Sequence, residues 1–188
     1  MLAEIAQLLV DVVASFFVYL LLARFHFQWL RVPFRNPIGN FVVALTDWTV
    51  RPARRLIPGV AGLDLATLVA AWLLQMLALW ALFSLKSADT VAAAALPLIA
   101  VLALFDLVKY SLYILIFAVL VQVLLSWLNP YSPVAPIFSV MTRPFMSPIR
   151  RYVPPVANFD LSPLVLLVLL QVVLIALAHL RNLATQWF

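Results

Sequence analysis

The chain has 188 residues, 66% of them hydrophobic and 10% charged, with a mean hydropathy of +1.12. Soluble domains run at about 45–50% apolar and about 25% charged, so this composition belongs to a bilayer rather than to water. Cysteine is absent, which excludes disulfides, thiolate metal sites and cysteine nucleophiles, and the formal charge of +5 comes from arginines clustered beside apolar runs rather than from a nucleic-acid-binding patch.

A helix needs about 20 apolar residues to cross the hydrocarbon core. The run 5–27 meets that length and carries Asp11, an intramembrane charge that needs a partner if it faces other helices. Glu4 and Asp11, with no early Lys or Arg, put the N-terminus outside and argue against a cleaved signal peptide. Arg24, at the inner end of this run, and Arg31, Arg35, Arg51, Arg54 and Arg55, between it and the next, mark a cytoplasmic loop. Within that loop Phe41, Leu45 and Trp48 recur at helical spacing and predict a short amphipathic helix in the headgroup boundary or against the bundle. Pro52 and Pro58 predict a rigid, extended exit that holds Arg54 and Arg55 near the membrane surface. Asp64 opens the second span, 64–85, where an acid suits the partial positive charge of a helix N-terminus. Gln75 lies about 16 Å further along, near mid-depth of a core about 30 Å thick.

The apolar region 91–128, interrupted by Pro97, Asp106 and Lys109, is too long for one ordinary crossing. Residues 107–128 make a span, and 91–105 are expected to insert partially or to extend a helix outside. That choice leaves an even number of crossings between the two Arg-rich loops and keeps both on one face, for four crossings in all. Asp106 and Lys109, three apart near the outer end of that span, are expected to neutralise each other. In the second loop Ile137, Val140 and Met141 repeat the amphipathic pattern, and Pro144 is expected to end that helix. Pro148 and Pro154 then frame Arg150 and Arg151, with Arg143 upstream, before Asp160 and the Ser162-Pro163 start of the span 162–181 that carries Gln171. His26 and His179 lie near opposite faces and cannot share a metal. No His–Glu cluster or Gly-rich phosphate loop is present, so catalytic residues, metals and cofactors are not expected.

The two halves are copies of one unit. A step of 96 brings Thr46 onto Thr142, Pro52 onto Pro148, Arg54-Arg55 onto Arg150-Arg151 and Pro58 onto Pro154. It also brings Val60-Ala61 onto Val156-Ala157, Asp64-Leu65 onto Asp160-Leu161, and Gln75 onto Gln171. Upstream, Trp29-Leu30 and Asn36-Pro37 answer to Trp127-Leu128 and Asn129-Pro130, with a longer loop in the first copy. The fold class is therefore all-α: a multi-pass helical membrane protein of two tandem repeats, 1–88 and 107–188, joined by an apolar connector at 89–106.

Each repeated feature carries two readings. Arg54, Arg55, Arg150 and Arg151, with Asp64 and Asp160, either set topology against anionic lipid headgroups or form a docking surface for a protein partner. Gln75 and Gln171 either hydrogen-bond across the duplicated halves or line an ion path, with Asp11 as a further intramembrane contact. Ala66 and Ala70 give a small-xxx-small spacing for close helix approach.

Asn-Pro, then Thr-x5-Pro-x-Arg-Arg-x-x-Pro, then Asp-Leu before a long apolar helix resembles the YggT family, also called YlmG. The resemblance covers essentially the whole chain and is closer in the second copy, from Thr142 to Asp160 with Pro144, Ser147-Pro148 and Ser162-Pro163. The first copy departs from it, with Trp48 at the place of Pro144 and Ala66-Thr67 at that of Ser162-Pro163. The resemblance implies a bacterial inner-membrane or plastid-membrane protein. Relatives are linked to osmotic or potassium homeostasis, to cell-division gene neighbourhoods and, in plastids, to cofactor attachment on a cytochrome and to nucleoid organisation. It implies no catalytic residues, and its single-copy members imply that the unit works without its duplicate, with a homo-oligomer among the arrangements this allows. The expectation is a non-enzymatic inner-membrane scaffold or assembly factor whose basic cytoplasmic loops meet anionic lipid or a membrane or cytoplasmic protein partner. The alternative is a small transporter or channel component in osmotic or potassium homeostasis.

Overall fold

The computed structural model describes residues 1–57, 59, 63–86, 96–129, 131–153 and 160–187, without the side chains of residues 56 and 187. Six helices follow in order: α1 Leu2–Trp29, α2 Pro37–Leu56, α3 Leu65–Lys86, α4 Leu96–Leu128, α5 Ala135–Tyr152 and α6 Ser162–Trp187. Of these, α1, α3, α4 and α6 are long and apolar enough to cross a membrane. Packing repeats with the sequence: α1, α2 and α3 pack pairwise against one another, as do α4, α5 and α6, while α4 joins the halves by packing on α1 and α3.

Residues 96–105 form the first turns of the same continuous helix as 107–128 and make no separate segment, and 91–95 lie outside the described residues. Consequently Asp106 is not at the outer end of a span but ten residues inside one. Pro97 sits in the first turn of α4, where a missing amide donor costs nothing.

The turn between α1 and α2 has clear local causes. Arg31 adopts a left-handed φ of 55°, and the Val32 amide donates back to the Phe27 carbonyl at 2.8 Å, a Schellman-type closure. Asn36 then caps α2 by accepting from the Gly39 amide at 2.7 Å, with Pro37 opening the helix. Gly39 is required there, because a Cβ would stand 2.4 Å from the Phe34 carbonyl oxygen.

Both amphipathic helices dock on the bundle. In α5 the buried side chains include Ile137 and Met141, as their spacing predicts. In α2 the buried face is Val42, Thr46 and Val50, while Phe41 and Trp48 are exposed, which fits the headgroup boundary of the two placements expected for those aromatics and not packing against the bundle. An aromatic ring on a docked helix serves better at the headgroup level than inside a tightly packed bundle.

Pro144 does not end α5, nor Pro52 α2: both helices run through their prolines, and Pro148 is likewise inside α5. All three prolines are exposed, so the carbonyls they leave unpaired face outward, where water or headgroups satisfy them. The Arg pairs therefore stand in the last helical turn, not in an extended exit, and Pro58 and Pro154 lie outside the described residues. So do Val60-Ala61, Val156-Ala157 and Pro130.

Close packing of α3 depends on small residues. Ala66, Ala70, Ala71 and Ala78 are buried, and Ala70 and Ala71 meet Val18, Leu21 and Leu22 of α1 in one cluster with Leu107 of α4. A second cluster joins Phe27 and Val32 to Ala118 of α4 and to Ile137, Phe138 and Met141 of α5. This contact brings the end of α1 to the second amphipathic helix, so α2 and α5 lie at the same end of the bundle. With no native thiol, single cysteines test that directly. Asn40→Cys and Ser139→Cys should react with a membrane-impermeant maleimide from one side of sealed vesicles, and Leu2→Cys only from the other.

Candidate functional site: a latched basic end and an intramembrane charge cluster

At the end formed by α2 and α5, the first arginine of each pair is held within the chain. Arg54 donates to Asp64 Oδ2 from Nη2 at 2.5 Å and from Nε at 3.2 Å, and Nη2 also reaches Gln28 Oε1 at 3.2 Å. Arg150 makes the same contact in the second copy, with Nε at 2.9 Å and Nη2 at 2.8 Å from Asp160 Oδ2. Each pair ties the last turn of an amphipathic helix to an aspartate just ahead of the following span. The aspartates also cap those spans: Asp64 accepts from the Thr67 amide at 3.3 Å, and from its hydroxyl at 2.5 Å, and Asp160 accepts from the Ser162 amide at 2.9 Å.

The second arginine of each pair is different. Arg55 and Arg151 are exposed and make no ion pair among the described residues. Arg31, Arg35 and Arg143 are exposed at the same end, as is Arg51, which is tied to Asp47 at 2.7 Å. The expected surface of Arg54, Arg55, Arg150 and Arg151 thus divides into two latches and two outward cations.

A further contact was not foreseen. Arg24, only 5% exposed, reaches from α1 to Thr46 Oγ1 and Asp47 Oδ1 of α2, each at 2.8 Å. In the second copy the Thr142 hydroxyl donates to Gln122 Oε1 of α4. A step of 98, the one that takes Trp29 to Trp127, takes Arg24 to Gln122. The same joint between span and amphipathic helix is therefore an ion pair in one copy and a neutral hydrogen bond in the other. Thr46 aligned with Thr142 was the only sequence signal for it, because Arg24 reads as one more loop cation.

Deeper in the bundle, Asp106 is 3% exposed and gathers groups from three helices. Gln75 Nε2 of α3 donates to its Oδ2 at 3.0 Å, Lys109 Nζ donates to Oδ1 at 3.0 Å, and Arg181 Nε of α6 stands 3.6 Å from Oδ1. Gln75 is ten residues into α3, about 15 Å along the helix, so the carboxylate sits near mid-depth. The expected Asp106–Lys109 pair is present, within a larger cluster. The expected bond between the two glutamines is absent: Gln75 is buried on Asp106, and Gln171 is exposed on α6. Asp11 lines a cavity of about 430 Å³ together with Gln75, Asp106, Lys109, Tyr110 and Arg181. Among the described residues no group of His, Cys, Asp and Glu could hold a metal ion.

At the basic end, burial pushes the carboxyls of Asp47, Asp64 and Asp160 up, and their partners more than reverse it. Hydrogen bonds and charge from Arg24 and then Arg51 hold Asp47 below the usual carboxylate range, as Arg54 and Thr67 do for Asp64 and Ser162 and Arg150 for Asp160. A carboxylate with a lowered folded-state pKa contributes stability above its unfolded value of 3.8, and that stability is lost as pH falls through the folded value. The melting temperature of the detergent-solubilised protein should be level from pH 7 to 5 and fall below pH 4, less steeply in Asp64→Asn. At neutral pH Asp64→Asn should cost about 2 kcal/mol, since Asp64 is buried though Arg54 is half-exposed, and the more exposed Asp160→Asn about 1 kcal/mol or less.

The model of the CCB3/YggT family matches this chain twice, over residues 3–85 and 101–181, one match per structural repeat. A Vibrio alginolyticus protein described as uncharacterised, in the proC 3′ region, is 34% identical over 87% of this chain and 88% of its own. An uncharacterised Pseudomonas aeruginosa protein is 32% identical over 95% of this chain and 89% of its own. The uncharacterised protein YggT of Escherichia coli K12 is 30% identical over 91% and 88%. No solved structure matches the chain.

Proposed function

The chain belongs to the CCB3/YggT family, and from that premise we propose that it acts as a non-enzymatic inner-membrane scaffold or assembly factor, with its basic end in the cytoplasm. The observation that carries this reading is the division of labour within each Arg pair. Arg54 and Arg150 fix the amphipathic helices to the spans, and Arg55 and Arg151 are left exposed on rigid helix ends, at the same end as Arg35 and Arg143. A chain that needed arginines only for topology has no use for pre-positioning them. A fixed cation loses less freedom on binding an acidic partner or an anionic headgroup.

A second reading, a transporter or channel component in osmotic or ion homeostasis, is favoured by the cavity that holds Asp11, Asp106, Lys109 and Arg181. The scaffold reading is preferred because Asp106 is already neutralised by Lys109 and approached by Arg181 and Gln75, which leaves little charge to offer a passing ion.

Charge reversal separates the two. The double substitution Arg55→Glu and Arg151→Glu should leave insertion and melting temperature unchanged. It should weaken retention of a co-purifying protein or of anionic lipid by about tenfold or more, at about 1 kcal/mol per basic residue. Unchanged retention, together with potassium flux in liposomes that Asp106→Asn abolishes, would favour the transport reading instead.

A further inference from the structure

The contact that joins the two repeats inside one chain has unused counterparts at both ends of the molecule. On α3 a stripe of Leu68, Trp72, Gln75 and Leu79 faces α4: the Trp72 indole donates to the Ala100 carbonyl at 3.0 Å, and Gln75 donates to Asp106. The step of 96 carries this stripe onto Leu164, Val168, Gln171 and Ile175 of α6. There the three apolar members are 57% to 62% exposed, and Gln171 is exposed with them. The receiving face of α4 includes Ala103, Asp106, Leu107 and Tyr110. The step of 98, supported structurally by the Arg24 and Gln122 joints, carries it onto Ile5, Leu8, Leu9 and Val12 of α1. Those four are 48% to 61% exposed.

Gln171 stands mid-span on this exposed face of α6, and among the described residues no hydrogen bond or ion pair reaches its side chain. An unpaired amide within a span is costly toward lipid and favours cover by another helix.

From this we infer that copies of the chain associate head to tail in the membrane, α6 of one copy packing on α1 of the next as α3 packs on α4 within the chain. The contact is heterologous, so it closes into a ring or continues as a row according to the rotation between copies. The register is specific: Gln171 of one copy meets the α1 face of the next at Leu8, the counterpart of Asp106. This inference is independent of what the basic end holds, and it stands on faces the basic end does not use.

The native chain has no cysteine, so introduced thiols report without background. Two differently tagged chains, one Leu8→Cys and the other Gln171→Cys, would be co-expressed and oxidised in intact membranes. A mixed disulfide joining the two tags, with little homodimer of either variant, is expected. Both substitutions are on exposed faces, and size-exclusion chromatography of each variant verifies its fold. A Gln171→Cys homodimer as the main product would mean a two-fold contact and overturn the head-to-tail register. Photobleaching of the wild-type chain in dilute liposomes should give two or more steps per particle, and single steps alone would overturn the association itself.

Discussion

A carboxylate near the middle of a bilayer is tolerable only where other groups in the protein meet its charge, and Asp106 meets that condition by drawing on three helices. Lys109 comes from its own helix α4, Gln75 from α3 of the first repeat, and Arg181 from α6. Asp106 thereby fixes the rotation of α4 about its axis and the depth at which the repeats meet. With α4 set in this way, Leu107 completes the core begun by Val18, Leu21 and the alanines of α3, and the end of α4 carries α5 to the end of α1. The shared orientation of the two amphipathic helices follows from that depth and rotation.

The Arg54–Asp64 and Arg150–Asp160 pairs do within each repeat what Asp106 does between them. Each joins the C-terminal turn of a docked helix to an aspartate just ahead of a span, where it also satisfies helix donors that have no partner in the helix. The joint at the other side of each docked helix differs between the copies. Arg24 with Thr46 and Asp47 in the first answers to Gln122 with Thr142 in the second, and the residue aligned with Asp47 is the exposed Arg143. The first copy thus has a buried ion pair where the second has a neutral hydrogen bond.

The four spans, the duplication and the amphipathic character of both loops were legible in the sequence, because apolar length and a fixed repeat step survive without tertiary information. The Asp–Leu start of each span was legible too, since an acid at a helix N-terminus is a local effect. Three features were not. Pro144 read as a helix end and Pro52 as part of an extended exit, but both stand on an exposed face, where a freed carbonyl is open to water or headgroups, so the helices continue. Gln75 and Gln171 read as mates because they are sequence equivalents. Repeats that meet side by side pair the end of one unit with the start of the next, and so Gln75 found Asp106. Arg24 read as a loop cation because nothing local distinguishes a cation that turns inward from one that turns outward.

The way the repeats meet depends on the Gln75–Asp106 contact being the energetic joint between them and not an incidental neighbour of the Asp106–Lys109 pair. A double-mutant cycle of Gln75→Leu and Asp106→Leu, read by steric-trap unfolding in bicelles, measures it. A coupling energy of about 1–2 kcal/mol is expected, the double variant being less destabilised than the sum of the singles by that amount. Additive effects within about 0.5 kcal/mol would contradict it.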